Sequence, residues 1–275
     1  MNASKNLVHY IVTIFCIIGI SALSLSFAST GQTITEGDKA LLKERIEFKV
    51  SWSFIPLIHT FMELYGDSSE KLSQPTYRLA HQASMNSFWN DRMESVIDSR
   101  SLLPYMMETI IKDGEKMWKE KVVFDRQSQK ATFIHQNRKT GEKIVEEFFI
   151  SPLSMDPLSA FYNLRHRISP AHPYAAFEGL TGSKRFKIEA KFVGQESVDV
   201  PAGSFGTFRI ECTLSYWPCK GTEKQLKKEN KDEIKSFTLW VTKDANRYPV
   251  QIRYRLSVGS LWVRAVSILD HGIFS

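Results

Sequence analysis

The chain is poor in the residues that announce chemistry. It has three cysteines in 275 residues, with no C-x-x-C pair among them. A G-x-S-x-G elbow, a glycine-rich phosphate loop and an H-E-x-x-H pair are also missing. Those absences set aside thiol-redox, α/β-hydrolase, nucleotide-binding and zinc-protease readings. No internal repeat and no break in composition divides the sequence, so one domain is expected. Neither sign of charge prevails. Lys and Arg total 36 against 30 Asp and Glu, a formal net charge of +6, and the signs are interspersed as on an ordinary solvated surface.

What is present begins with an export signal. Lys5 gives a weak positive start, Ile11 to Ile20 is an uninterrupted apolar core, and Ser26-Phe27-Ala28 places small residues where a signal peptidase reads. Cleavage after Ala28 into an oxidising envelope compartment, the periplasm, is predicted. The alternative is an uncleaved N-terminal anchor, since Leu7 to Ala28 approaches the ~20 apolar residues that span a bilayer; Ser21, Ser24 and Ser26 dilute that stretch. Cys16 follows Phe15, where a lipidation site needs a small residue. Cleavage removes one charged side chain, Lys5, and leaves two cysteines, Cys212 and Cys219. Nucleic acid is not an expected partner of an exported chain, and membrane contact is expected to be peripheral at most.

An even cysteine count permits a disulfide. Seven residues of extended strand separate Cys212 and Cys219 by about 23 Å, so a bridge requires the chain to turn near Trp217-Pro218. Both the bridge and two unpaired thiols stay open.

From Glu44 onward, period-two alternation dominates. Ile46, Phe48, Val50 and Trp52 share one face, and Glu47, Lys49 and Ser51 the other. The pattern returns in Phe186 to Phe192, Phe208 to Tyr216 and Val250 to Leu256. Further strands are expected near 57–65, 76–86, 104–112, 116–126, 130–137, 142–150, 236–243 and 261–270. Asp113-Gly114, Thr140-Gly141 and Pro201-Ala202-Gly203 supply turns. About a dozen strands joined by short loops predict a single large, curved antiparallel sheet, a barrel or half-barrel. The domain is expected over 44–270, after a 29–43 linker and before a 271–275 tail. Lys220 to Lys235, highly charged, reads as a solvated excursion. Alternation alone leaves open which face is dry, because an outer-membrane barrel is apolar outside.

The exception to the strands is Met155 to Arg167. Asp156 is a good N-cap, Pro157 suits the first helical position, and Arg165, His166 and Arg167 bring positive charge to the negative end of the helix dipole. Leu158, Phe161, Leu164 and Ile168 recur at helical spacing, so one face is expected to pack on the concave side of the sheet.

Catalytic readings are thin. Ser68-Ser69-Glu70-Lys71 fits S-x-x-K but lies in a polar turn without a supporting motif. His166 and His172 straddle Pro170 without a carboxylate or thiol at ligand spacing, and helix-end charge is the expected role of His166. His81 and His135 read as hydrogen-bonded strand residues. Asp91, Glu94 and Asp98 cluster before Pro104, where a pair facing a groove can do acid–base chemistry on a glycan; pairing of one with Arg100 is the competing reading. No enzyme activity, metal or cofactor is expected.

Five runs carry a resemblance: ESVIDSRSLLPYMMETI (Glu94 to Ile110), VVFDRQSQKATF (Val122 to Phe133), MDPLSAFYNLR (Met155 to Arg165), VPAGSFGTFRIE (Val200 to Glu211) and LWVTKDANRYPVQIRYRLSVGSLWV (Leu239 to Val263). Together they resemble the bacterial exported family known as domain of unknown function 3108, over most of residues 44–270. The chain departs from the family's usual Ala-Gly pair at Leu57-Ile58-His59. The resemblance implies a mostly antiparallel β fold in the cell envelope, similar to the half-barrels that carry lipoproteins, and no known activity.

Two functions follow as expectations. In the first, the curved sheet and the helix enclose an apolar groove for a lipid or other amphiphile, with Trp52, Leu158, Phe161, Tyr162 and Leu164 as lining and Asp156 and Arg165 fixing the helix ends. Burying ~14 methylenes gives on the order of 11 kcal/mol gross. In the second, the protein is an envelope scaffold or assembly factor that offers a sheet edge or the lysine-rich loop to another protein.

Overall fold

The computed structural model describes residues 42–53, 55–67, 75–85, 89–114, 116–219, 235–256 and 258–271. The predicted signal peptide with its cleavage site, the S-x-x-K stretch and nearly all of the 220–235 loop lie outside the described residues.

Fourteen strands form one antiparallel sheet. They are β1 (Leu42–Trp52), β2 (Ile55–Asp67), β3 (Thr76–Met85), β4 (Trp89–Asp98), β5 (Pro104–Asp113), β6 (Lys116–Asp125), β7 (Lys130–Asn137), β8 (Lys143–Phe149), β9 (Tyr174–Thr181), β10 (Lys184–Val200), β11 (Gly203–Pro218), β12 (Lys235–Thr242), β13 (Pro249–Arg255) and β14 (Ser260–Asp270). One helix, α1 (Pro157–Arg167), falls between β8 and β9. The strand order is β8-β7-β6-β5-β4-β3-β2-β1-β14-β13-β12-β11-β10-β9. Every strand therefore pairs with its sequence neighbour, except that β1 and β14 join the two halves at the middle and β8 and β9 are left as edges.

Alternation sets the curvature and answers which face is dry. In β1, Ile46, Phe48 and Val50 point inward and are almost fully buried, opposite Met62, Thr60 and Ile58 of β2. The outer face is instead laced with ion pairs: Arg45 with Glu63, Arg78 with Glu94, Lys119 with Glu108 and Lys130 with Glu147. The apolar side is thus the inner one, the reverse of a lipid-facing barrel. Among the described residues, no helix is long and apolar enough to cross a membrane.

Two strands escape the sequence reading. In β4 the inward positions are Trp89, Asp91, Met93, Ser95 and Ile97, all buried; two polar members break the apolar alternation that marks a strand. β9, YAAFEGLT, carries Gly179 and small residues. Gly179 is required there, because a Cβ would lie 1.8 Å from the Met155 carbonyl oxygen. Met155 forms a parallel bridge to Gly179, with Met155 N–H donating to Glu178 O and Leu180 N–H to Met155 O, both at 2.9 Å.

That bridge lies in the connector from β8 to α1, which staples the two free edges together. Ile150 N–H donates to Gln129 O at 2.9 Å. The Arg126 guanidinium donates to the carbonyls of Pro104, Pro152 and Ser154, and Arg185 donates to Phe149 O. The sheet curls around its core without closing by strand pairing.

Candidate functional site

α1 begins as its sequence dictates. The Asp156 carboxylate accepts from Ser159 N–H at 2.9 Å and Ser159 Oγ accepts from Asp156 N–H at 3.0 Å, a reciprocal capping box behind Pro157. Ser95 of β4 donates to the other Asp156 oxygen, so the cap also docks α1 on the sheet. Burial pushes the Asp156 carboxyl up to about 6, against the lowering effect of these hydrogen bonds.

The other end of α1 departs from expectation. Arg165 is 0 % exposed and reaches inward, with its guanidinium donating to both carboxylate oxygens of Glu44 on β1. Tyr162 O–H donates to the same carboxylate at 2.7 Å. Asn246 O accepts from Arg165 at 3.0 Å, and the guanidinium carbon sits 4.3 Å from the Tyr162 ring centre. Burial alone would lower the Arg165 pKa; the adjacent Glu44 more than reverses this and holds the cation. His166 is not the helix-end cation that its position suggests. Burial, then Arg165 and Arg247, depress it to about 3, leaving it neutral at physiological pH.

The face of α1 expected to cover a groove is consumed by packing. Leu158, Phe161, Leu164 and Ile168 are all 7 % exposed or less and belong to one continuous core with the inner residues of both sheet halves. Tyr162 is anchored to Glu44, as above. Trp52 is remote from α1, at the end of β1 opposite Leu261, and its indole N–H donates to Val258 O at 3.1 Å. The structure does not gather these five residues into a ligand groove. No disulfide joins Cys212 to Cys219. β11 runs extended through Pro218 without the turn that a bridge requires, which leaves the cysteines on the order of 23 Å apart.

The three carboxylates of the glycan-hydrolase reading are dispersed. Asp91 points into the core, Glu94 pairs outside with Arg92 and Arg78, and Asp98 caps a turn by accepting from the backbone N–H groups of Arg100 and Ser101. Arg100 thus meets Asp98 through its main chain. Asp91 belongs instead to a polar inner band that the sequence does not reveal. Burial, reinforced by Glu120, raises its pKa well above the carboxylate range. In the same band, Thr60 donates to Gln82 O, so it accepts from His81 Nε2–H at 2.7 Å and fixes that tautomer. Burial depresses His81 to about 3. Further along, His135 and Glu120 meet at 3.1 Å. Both histidines are hydrogen-bonded strand residues, as expected.

A candidate binding groove lies at the seam. About 360 Å³ in volume, it has Leu103, Leu153, Met155 and Phe177 as its apolar lining and Arg167 and Glu178 as its charged groups. Arg167 extends over the Phe177 ring at 5.8 Å. Leu153 is 69 % exposed, and Phe149, at the β8 end of the same connector, is 74 % exposed. Ile144 and Val145 on β8 and Tyr174 on β9 are further exposed apolar side chains on the two edge strands. This groove was invisible in the sequence, because it is built from the β4–β5 turn, the connector, the end of α1 and β9.

Residues 47–266 match the family model described as protein of unknown function DUF3108. A crystal structure of a β-barrel-like protein of domain of unknown function DUF1849 from Brucella abortus is similar at a TM-score of 0.53 and 8 % identity, covering 84 % of this chain and 99 % of that one. Two further structures match at a TM-score of 0.30, below the level that shows a shared fold. A candidate exported protein with a YmcC-like fold from Bacteroides fragilis is 10 % identical, with 83 % of this chain and 96 % of its own covered. A candidate lipoprotein from Parabacteroides distasonis is 8 % identical, with 82 % and 95 % covered. No curated protein matches the chain.

Proposed function

The chain belongs to the DUF3108 family, and from that premise we propose that it is an exported, non-catalytic cell-envelope protein that holds an amphiphile in the seam groove. The observation that supports this reading is the groove's chemistry. Leu103, Leu153, Met155 and Phe177 offer an apolar bed, while Arg167 and Glu178 bring opposite charges to its wall. That combination suits an acyl chain with a zwitterionic head. Its volume of about 360 Å³ falls at the lower end of small-ligand sites, so part of the chain would lie against exposed Leu153 and Phe149. Export rests on the Lys5 to Ala28 pattern. The amphiphile lies at the seam and not beneath α1, whose inner face is filled by core packing.

Native mass spectrometry and lipid extraction of protein purified without detergent test this. A co-purifying amphiphile is expected, with affinity weakened about tenfold or more in Leu153→Asp, from the loss of one apolar side-chain contact. Recovery of no amphiphile from the wild-type protein, together with no uptake of an added zwitterionic phospholipid, overturns the proposal.

A second reading draws on edge strand β8, which pairs with β7 alone among the strands and exposes Ile144 and Val145. Such an edge suits strand addition by a partner protein. Val145→Lys separates the two readings: loss of an in-cell crosslinked partner with amphiphile binding intact favours the scaffold.

A further inference from the structure

A second groove, of about 570 Å³, lies on the outer face near the middle of the sheet, away from the seam. Its floor is built by register. Lys49 of β1 stands directly opposite Arg264 of β14, and Arg264 stands opposite Gln251 of β13. On the other side Lys49 faces His59 of β2, so this row across four strands holds two cations and a histidine and no acid. Ser51 and Ser53 add hydroxyls along the same wall.

The roof is the end of the long β10–β11 hairpin. Beyond the irregularity between Phe192 and Gly194, the hairpin leans across toward β14. Trp240 Nε1–H donates to Glu196 at 2.6 Å and Ala202 N–H to Ala265 O at 3.1 Å. Asp199, Val200 and Pro201 are thereby brought over the groove. Asp199 is the one acid in the lining, and it accepts from Ser204 Oγ.

Elsewhere on the outer face opposite charges pair across strands, as in Arg45 with Glu63, and where like charges stand opposite, Glu94 and Glu108, each has a cation partner, Arg78 or Arg92 for the first and Lys119 for the second. Like charges directly opposite one another are destabilising. Among the described residues, no carboxylate lies within ion-pairing distance of Lys49 or Arg264. Arg264 is nonetheless held in place, with Nε–H donating to Gln251 at 3.3 Å and its guanidinium 4.6 Å from the Trp262 ring centre. That leaves its terminal amino groups available for a bound anion.

We propose that this groove binds a phosphate-type anionic group between Lys49 and Arg264, with the Ser51 and Ser53 hydroxyls as further donors. The forked guanidinium supplies geometry, the ammonium supplies charge, and the bound anion relieves the repulsion between them. The group is either a free phosphorylated solute or the head of an anionic phospholipid. The site is independent of the seam groove.

The full mature chain is titrated with inorganic phosphate at constant ionic strength set by chloride, reading the thermal midpoint. In parallel, co-sedimentation is measured with phosphatidylglycerol and with phosphatidylcholine vesicles. Lys49→Gln and Arg264→Gln are the variants. Each is expected to leave the midpoint in chloride unchanged or raised, since it removes a like-charge contact, and to weaken anion binding roughly tenfold, the value of one charge-assisted hydrogen bond. A saturable phosphate effect lost in the variants identifies a free anion. No phosphate effect, with vesicle binding that requires phosphatidylglycerol and both cations, identifies a headgroup. Phosphate no better than chloride and vesicle binding indifferent to both variants overturns the proposal. So does a lowered midpoint of both variants in chloride, which would show the cations to be stabilising without a ligand. Leu153→Asp serves as control and is expected to bind phosphate normally, so the two sites fail separately.

Discussion

Removing one member of the Glu44–Arg165 pair should unfold far more than one contact's worth of structure. Both side chains are at most 1 % exposed, and the pair joins α1 to the middle of the sheet. Arg165→Met leaves the Glu44 carboxylate with only Tyr162 O–H of its three donors. Glu44→Leu leaves Arg165 with Asn246 O and the faces of Tyr162 and Tyr248. A buried charge stripped of its partner costs about 3–5 kcal/mol. For a domain of this size that lowers the thermal midpoint by about 6–20 °C. The double variant should cost much less than the sum, because a buried pair replaced by apolar groups of similar bulk is often neutral. Adding Tyr162→Phe removes the hydroxyl then left without its acceptor. Urea unfolding of the wild type, both singles and the double gives the coupling energy directly. Singles that each cost under about 1 kcal/mol, or singles whose costs simply add, would refute the assignment of this pair as the anchor of α1.

Gly179→Ala places a methyl group 1.8 Å from Met155 O, so the connector must pull away from β9; a loss of stability of about 3 kcal/mol or more is expected, with faster hydrogen exchange at Met155 and Leu180 as the local readout. His81 gives a pH signature. The folded group titrates at about 3 and the unfolded one near 6.5, so the unfolded chain binds the extra proton between them and stability falls as pH falls through that window. His81→Gln, whose amide can still donate to Thr60, should flatten the decline by about 2 kcal/mol between pH 6.5 and 5, measured as urea midpoints. Asp156, raised to about 6, acts with the opposite sign: the folded chain holds its proton more tightly, so acidification favours folding, and Asp156→Asn should steepen the same decline.

The fold was legible where the chain obeys one local rule at a time. Asp156 and Pro157 announce α1 because capping is a matter of adjacent residues, and the alternation of Ile46, Phe48 and Val50 announces β1 because one face is wholly apolar. β4 was missed because Asp91 and Ser95 occupy inward positions, serving a polar band and the helix cap. Arg165 was misjudged for a similar reason. A basic last turn satisfies the helix dipole wherever it points, and the Glu44 that turns it inward is 121 residues away. The Lys49–Arg264 row likewise exists only through register. The seam groove draws on four separate segments, none remarkable by itself in composition.

The pairing of β1 with β14 has a consequence for how the molecule comes into being. Each of the other strand pairs joins consecutive segments, so both meanders can begin to assemble as the chain emerges. Their junction needs the final strand: Glu44 meets Asp270, and His271 N–H reaches Lys43 O at 2.9 Å. Until that last segment arrives, β1 and β13 each present a bare flank capable of recruiting another chain. Completion at the centre prolongs the hazardous interval of biogenesis until β14 is delivered, and a truncation that removes β14 would leave two sheets with sticky inner margins.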